Sequence, residues 1–207
     1  MTIMCGYLEL IIGPMFSGKT SRILEIYRKA HYCNANIFVL NHSIDKRYSD
    51  NEVVNHNNEK IPCMNYENIR DFITDQIEPH HATVNNIYDN VVLINEGQFF
   101  TDIKEGAIEL VEKFNFKVYI CGLDGDFLRR PFGNFLDLIP YSNAVVKLNS
   151  LCVKCKDGTE ASFTYRYSSD NSNQIMVGAD ESYIPVCRKC YIEFNQPVVD
   201  TISIEQT

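Results

Sequence analysis

The octapeptide GPMFSGKT, residues 13–20, constrains this chain more than any other stretch. It fills every fixed position of G-x-x-x-x-G-K-[ST]. The flanks suit it. YLELII (7–12) reads as a strand, and residues 18–33 place Ile23, Leu24, Tyr27 and Ala30 at helical spacing. Glycines let successive backbone N–H groups turn inward at phosphate oxygens, and the following helix adds the positive end of its dipole. Gly13, Pro14, Met15, Phe16, Ser17, Gly18, Lys19 and Thr20 are therefore read as a phosphate loop. Lys19 would reach the β- and γ-phosphates, and the Thr20 hydroxyl would meet Mg²⁺. The bland alternative is a plain glycine-rich turn.

Downstream, NIFVL (36–40), VVLIN (91–95), FKVYICG (116–122) and NAVVKL (143–148) read as further strands. Helices are expected over 66–77 and 102–115, and the polar stretch 41–60 is expected to be irregular. Near-continuous apolar strands alternating with helices predict an α/β domain with a parallel sheet covered on both faces. After about residue 150 helical periodicity disappears, so the division is drawn as 1–149, 150–194 and a tail, 195–207, expected to be disordered.

The strand 91–95 runs into Asn95-Glu96-Gly97. A phosphate-transferring site places an acidic residue at such a strand end, near the metal. Glu96 would lie near the phosphate loop if the two strands were neighbours. There it would accept a proton from an attacking hydroxyl, the alternative being a solvated loop glutamate.

Of eight cysteines, four form two pairs, Cys152-x-x-Cys155 and Cys187-x-x-Cys190. Four thiolates at this spacing favour tetrahedral, structural Zn²⁺. The 31 intervening residues, 156–186, exceed the usual separation of about 15–20, so a flap or long hairpin is looped out from the clamped base. Cys5, Cys33, Cys63 and Cys121 are scattered. With no secretory signal in the N-terminal residues, the set reads as metal plus free thiols in a reducing compartment, the cytoplasm.

Net charge is −8, and within 152–190 five basic residues face five acidic ones. Both facts argue against a nucleic-acid-binding ribbon. No apolar run is long enough to span a membrane.

Taken together, GPMFSGKT, INEGQFF, GLDGDFLRRPFGN and VVKLNSLCVKC…VCRKCY resemble the type II thymidine kinases over about residues 7–194. The resemblance implies a RecA-like P-loop domain with a zinc-bearing lobe. It implies transfer of the ATP γ-phosphoryl group to the 5′-hydroxyl of thymidine with Mg²⁺, for DNA synthesis, deoxyuridine being left open. By the same resemblance Glu96 falls on the general base, and Asp45 and Arg47 fall on a D-x-R segment near sugar and phosphates. Met15, Phe99, Leu123, Phe127, Phe132, Thr164 and Tyr183 fall on positions enclosing the thymine. Stretch 156–186 falls on a lasso loop that grips the base through backbone groups around Ile175, Met176, Val177 and Gly178. A homotetramer and feedback inhibition by thymidine triphosphate are implied likewise. Arg129 is open between a phosphate contact and a structural salt bridge.

The chain departs from the family's D-E-x-Q-F at Asn95, which is expected at the ATP-binding end of the site. An amide accepts a hydrogen bond from a metal-bound water but supplies no charge, a change of about 1–2 kcal/mol. The expectation at Asn95 is therefore a weakened but active kinase, the alternative being a homologue that only binds nucleotide. A DNA-dependent ATPase with a zinc ribbon is disfavoured by charge.

Overall fold

The computed structural model describes residues 6–44, 51–79, 90–167, 174 and 182–196. Six strands make one parallel sheet: β1 (Tyr7–Ile12), β2 (Asn36–His42), β5 (Met64–Tyr66), β6 (Asn90–Ile94), β7 (Lys117–Gly122) and β8 (Ala144–Lys147). Their order is β5-β2-β6-β7-β1-β8. The expected α/β class with a parallel sheet holds.

The alternation of side chains along each strand divides the core into two layers. On one face Leu8, Leu10, Val92, Ile94, Val118 and Ile120 pack against helices α2 (Ile69–Phe72, widening into a π-helical turn over Ile73–Ile77) and α3 (Ile103–Ile108, widening likewise over Glu109–Lys113). On the other, Ile11, Val39, Leu93 and Cys121 meet Ile23, Leu24 and Ile26 of helix α1 (Lys19–Tyr32). Burying both faces is what makes these strands apolar on successive residues.

Three features differ from the sequence reading. The polar stretch 41–60 is not wholly irregular: β3 (Glu52–Val54) pairs antiparallel with β4 (Lys60–Pro62). Val53 and Ile61 face each other in register and bury with the α1 layer, so two apolar residues suffice to seat a hairpin. Strand β5 is too short and polar to signal itself, and adds to the sheet edge beside β2. Lastly β6 is not the neighbour of β1, because β7 lies between them. The phosphate loop and Glu96 therefore leave the same sheet edge two strand spacings apart, about 10 Å.

Beyond β8 the described residues build a smaller unit: β9 (Ser150–Leu151) with β10 (Glu160–Ala161), β11 (Phe163–Arg166) with β12 (Tyr183–Val186), and helix α4 (Arg188–Phe194). Its apolar cluster is centred on Cys152, Cys187, Cys190, Val186 and Tyr191. Helix α4 is a fourth difference, lying where helical periodicity disappears from the sequence; it is only seven residues long, below the length at which periodicity declares itself. Among the described residues no helix is long and apolar enough to cross a membrane.

Candidate active site and cysteine cluster

The octapeptide joins β1 to α1, as its flanks predict. Gly13, Phe16 and Gly18 all take positive φ, and Gly18 caps α1. A side chain at Gly13 is excluded by more than conformation, since a Cβ there would stand 2.4 Å from the Leu148 carbonyl oxygen. The Lys19 ammonium is buried and donates to the Pro14 carbonyl across the loop at 2.7 Å. Thr20 follows as the second residue of α1.

Two strands away, β6 ends at Ile94, and Glu96 adopts left-handed backbone geometry with φ 52° and ψ 46°. Such a residue breaks the strand abruptly and throws its side chain off the sheet. The Glu96 carboxylate accepts a hydrogen bond from the Gln98 amide at 2.6 Å. The Gln98 side-chain oxygen, Oε1, in turn accepts the Leu123 backbone N–H at 3.0 Å. Gln98 is buried and acts as a bracket between the carboxylate and the end of β7. Sequence reasoning missed it, although it stands inside the quoted motif. Gly133 makes the bracket's packing feasible. Its φ is 61°, and a Cβ there would lie 2.5 Å from the backbone carbonyl oxygen of Gln98.

Asn95 occupies a different place from Glu96. Its side chain is buried on the α1 side of the sheet, between Asn41 at the end of β2 and Cys121 on β7. Its amide nitrogen donates to the Asn41 oxygen at 2.9 Å, and its oxygen accepts from the Cys121 thiol at 3.1 Å. Both polar ends thus meet protein groups. A carboxylate has no proton to donate to Asn41, whereas an amide serves as donor and acceptor at once. Asn41 was not flagged from sequence.

The described residues expected around the base fall into two groups. Phe99 packs edge-on against Phe132, with ring centroids 5.7 Å apart, while Leu123 touches Gln98. In the second group the Met15 N–H donates to the Thr164 hydroxyl at 3.0 Å, Phe127 lies under the Arg166 guanidinium at 3.8 Å, and Arg166 donates to the Tyr183 hydroxyl at 3.5 Å. Asp45, Arg47, Ile175, Met176, Val177 and Gly178 lie outside the described residues. Arg129 stands 4.5 Å from the Tyr191 ring centroid, stacked on it; the salt bridge in this segment belongs to Arg130, paired with the buried Asp126 carboxylate at 2.7 Å.

The four paired cysteines converge, with sulfurs all within 4.8 Å of one another. Cys155 lies 3.8 Å from Cys187 and 3.6 Å from Cys190. A tetrahedral zinc with Zn–S bonds of about 2.3 Å needs sulfurs about 3.8 Å apart, so the set fits that ion. Burial alone would raise the Cys152 thiol, yet N–H groups of Cys155, Cys187 and Lys154 outweigh it and bring it down to about 6. Burial pushes Cys190 up to about 12. Without a cation the four sulfurs cannot all ionise together. Cys121 is tied to Asn95; Cys33 is exposed.

The family model for thymidine kinase (TK) matches residues 6–191. The thymidine kinase of Yaba monkey tumor virus (strain VR587) is 36% identical over 191 residues, 92% of this chain and 97% of that protein. Thymidine kinase a of Arabidopsis thaliana is 37% identical over 187 residues, 90% of this chain and 75% of that protein. The thymidine kinase of Variola virus (isolate Human/India/Ind3/1967) is 36% identical over 190 residues, 91% and 98% respectively.

Proposed function

This chain belongs to the thymidine kinase family and is an enzyme, and we propose that it transfers the γ-phosphoryl group of ATP to the 5′-hydroxyl of thymidine, yielding dTMP and ADP. One observation carries the mechanism: a phosphate loop on β1 and an ejected carboxylate after β6 share one sheet edge, two strands apart. That interval suits a triphosphate reaching from the loop toward an acceptor hydroxyl. Glu96 takes the proton of the 5′-hydroxyl as its oxygen bonds to the γ-phosphorus, and the bond to the β-phosphate oxygen breaks. Gln98 holds Glu96 in place for this step. Gly13 to Thr20 cradle the phosphates, with Lys19 leaving the Pro14 carbonyl for a phosphate oxygen. Thr20, next to Lys19 at the start of α1, would hold a Mg²⁺ ion brought with ATP, which would supply charge neutralisation to the phosphates.

Met15, Phe99, Leu123, Phe127, Phe132, Thr164 and Tyr183 enclose the base, with Asp45 and Arg47 at the sugar and phosphates and 175–178 reading the base edge. Residues 1–149 then carry ATP, and 150–194 carry a zinc-clamped cover. Asn95 is a neutral cross-strand tie beside the site, and this role accounts for an amide there without requiring a disarmed enzyme. Cytoplasmic action, a homotetramer and feedback by thymidine triphosphate, its base under the cover and its phosphates at the loop, complete the proposal. Light scattering that finds only monomer at micromolar concentration would remove the tetramer.

The deciding experiment is transfer from γ-labelled ATP to thymidine, with the natural chain and Glu96→Gln. The natural chain should make dTMP, and the variant should be slower by about 10²–10⁴-fold. ATP hydrolysis stimulated by DNA, with no dTMP formed, would overturn the reading.

A further inference from the structure

We infer that Arg166 is a positioning residue, which fixes Phe127 and Tyr183 in the pose from which they enclose the nucleoside base. The inference rests on the proposed role of those two aromatics. Strand β11 alternates, with Thr164 and Arg166 buried and Phe163 and Tyr165 half-buried on its other side. Arg166 is 3% exposed. Its guanidinium carbon stands 3.8 Å from the Phe127 ring centroid, well inside the limit of about 6 Å for attraction of a cation to a ring face. Across the ladder it faces Tyr183, its partner in register, and donates to that hydroxyl at 3.5 Å.

Stability alone does not call for this arrangement. A buried charge is costly to dehydrate, and an apolar side chain of similar volume commonly stabilises a core as well or better. An arginine does what such a residue cannot. Its flat guanidinium covers one face of Phe127 while an in-plane N–H reaches Tyr183. The Phe127 backbone is held separately, its carbonyl accepting the Tyr191 hydroxyl at 2.7 Å, one residue past Cys190. With the carbonyl held there, the guanidinium over the ring face restricts rotation of the Phe127 ring. Thr164, two residues earlier on the same strand, holds the phosphate loop at Met15. One short strand thus sets both the loop and the aromatic wall.

The test is steady-state kinetics in thymidine and in ATP for Arg166→Met, Arg166→Lys, Phe127→Leu and the Phe127→Leu/Arg166→Met double variant, with a melting curve for each. Arg166→Met should raise KM for thymidine about five- to tenfold and leave KM for ATP unchanged. Arg166→Lys should recover only part of this, because the charge returns without the flat stack. In the Phe127→Leu background the Arg166→Met change should cost clearly less than in the natural chain, leaving only the part exerted through Tyr183. If Phe127→Leu raises KM for thymidine and Arg166→Met does not, the inference fails and the role of Phe127 stands. If the two effects simply multiply, Arg166 does not act through Phe127 and the inference fails. If Phe127→Leu has no effect on thymidine, the underlying reading fails, and the inference with it. Should Arg166→Met not fold, Arg166→Lys decides: a native melt with raised KM for thymidine supports the role, an unchanged KM overturns it. Loss of folding in both would assign Arg166 to stability and overturn it too.

Discussion

The backbone N–H of Met15 donates to the hydroxyl of Thr164 at 3.0 Å, across 149 positions of sequence. The phosphate loop is thereby tied to a strand of the cysteine-bearing lobe. Thr164→Val keeps the shape and removes the acceptor, leaving a loop N–H without its partner. We expect kcat/KM for thymidine to fall about five- to tenfold, corresponding to about 1–1.4 kcal/mol. Thr164→Ser should restore it. Equal kinetics for valine and threonine would show that the bond does not contribute.

Gln98 holds the Glu96 carboxylate with one end of its amide and the Leu123 N–H with the other. Gln98→Leu should lower kcat about 10–100-fold with little change in KM for ATP, since a displaced base loses much of its effect. Adding it to Glu96→Gln should cost almost nothing more, because the two act as one unit. Independent, multiplying losses in the double variant would argue against the bracket.

Asn95→Asp exchanges a buried amide for a carboxylate that cannot donate to Asn41 unless the Asn41 amide turns over. We expect a stability loss of about 1–3 kcal/mol at neutral pH. Burial raises a carboxyl group's folded pKa above its unfolded value of about 3.9. The folded state then binds the proton more tightly, so the deficit is present above the folded pKa and disappears as pH falls below the unfolded one. Melting curves at pH 4 and pH 8 check the sign. Turnover at limiting Mg²⁺ should rise, by at most about tenfold, because the site gains charge near the metal.

Removal of zinc should loosen 150–194 first. The apolar cluster there is built around the cysteines themselves, whereas the sheet domain has two layers of its own. Limited proteolysis after chelation should cut within 150–194 while the sheet domain persists. Release should follow acidification, since the proton competes with the metal for each thiolate. Elemental analysis should give one zinc per chain. An unchanged cleavage pattern after verified metal loss would contradict the clamp.

What the sequence disclosed was local. GPMFSGKT declares itself because loop, strand and helix are contiguous, and the paired cysteines declare themselves by spacing. Strands β1, β2, β6 and β7 are legible because burial leaves near-continuous apolar runs, and the half-exposed edge strand β8 is legible from its β-branched pair Val145-Val146. What stayed hidden was relational. Asn41 matters through Asn95, 54 positions away, and Arg166 through Phe127; neither shows any signal of its own. The insertion of β7 between β1 and β6 is a fact of strand order, which no stretch of residues encodes. Gln98 was within view, but its function as a bracket needs the Leu123 N–H, 25 positions on.

Glu96 turns the strand end through a left-handed backbone that residues other than glycine, asparagine and aspartate seldom adopt, at a cost of about 1–2 kcal/mol. The residue best suited to the chemistry is thus poorly suited to its own backbone. Random mutagenesis scored by heat resistance alone should enrich glycine or asparagine at position 96 and return a hardier, silent protein. Selection for turnover must keep pulling the other way, so position 96 is where durability and catalysis compete most directly.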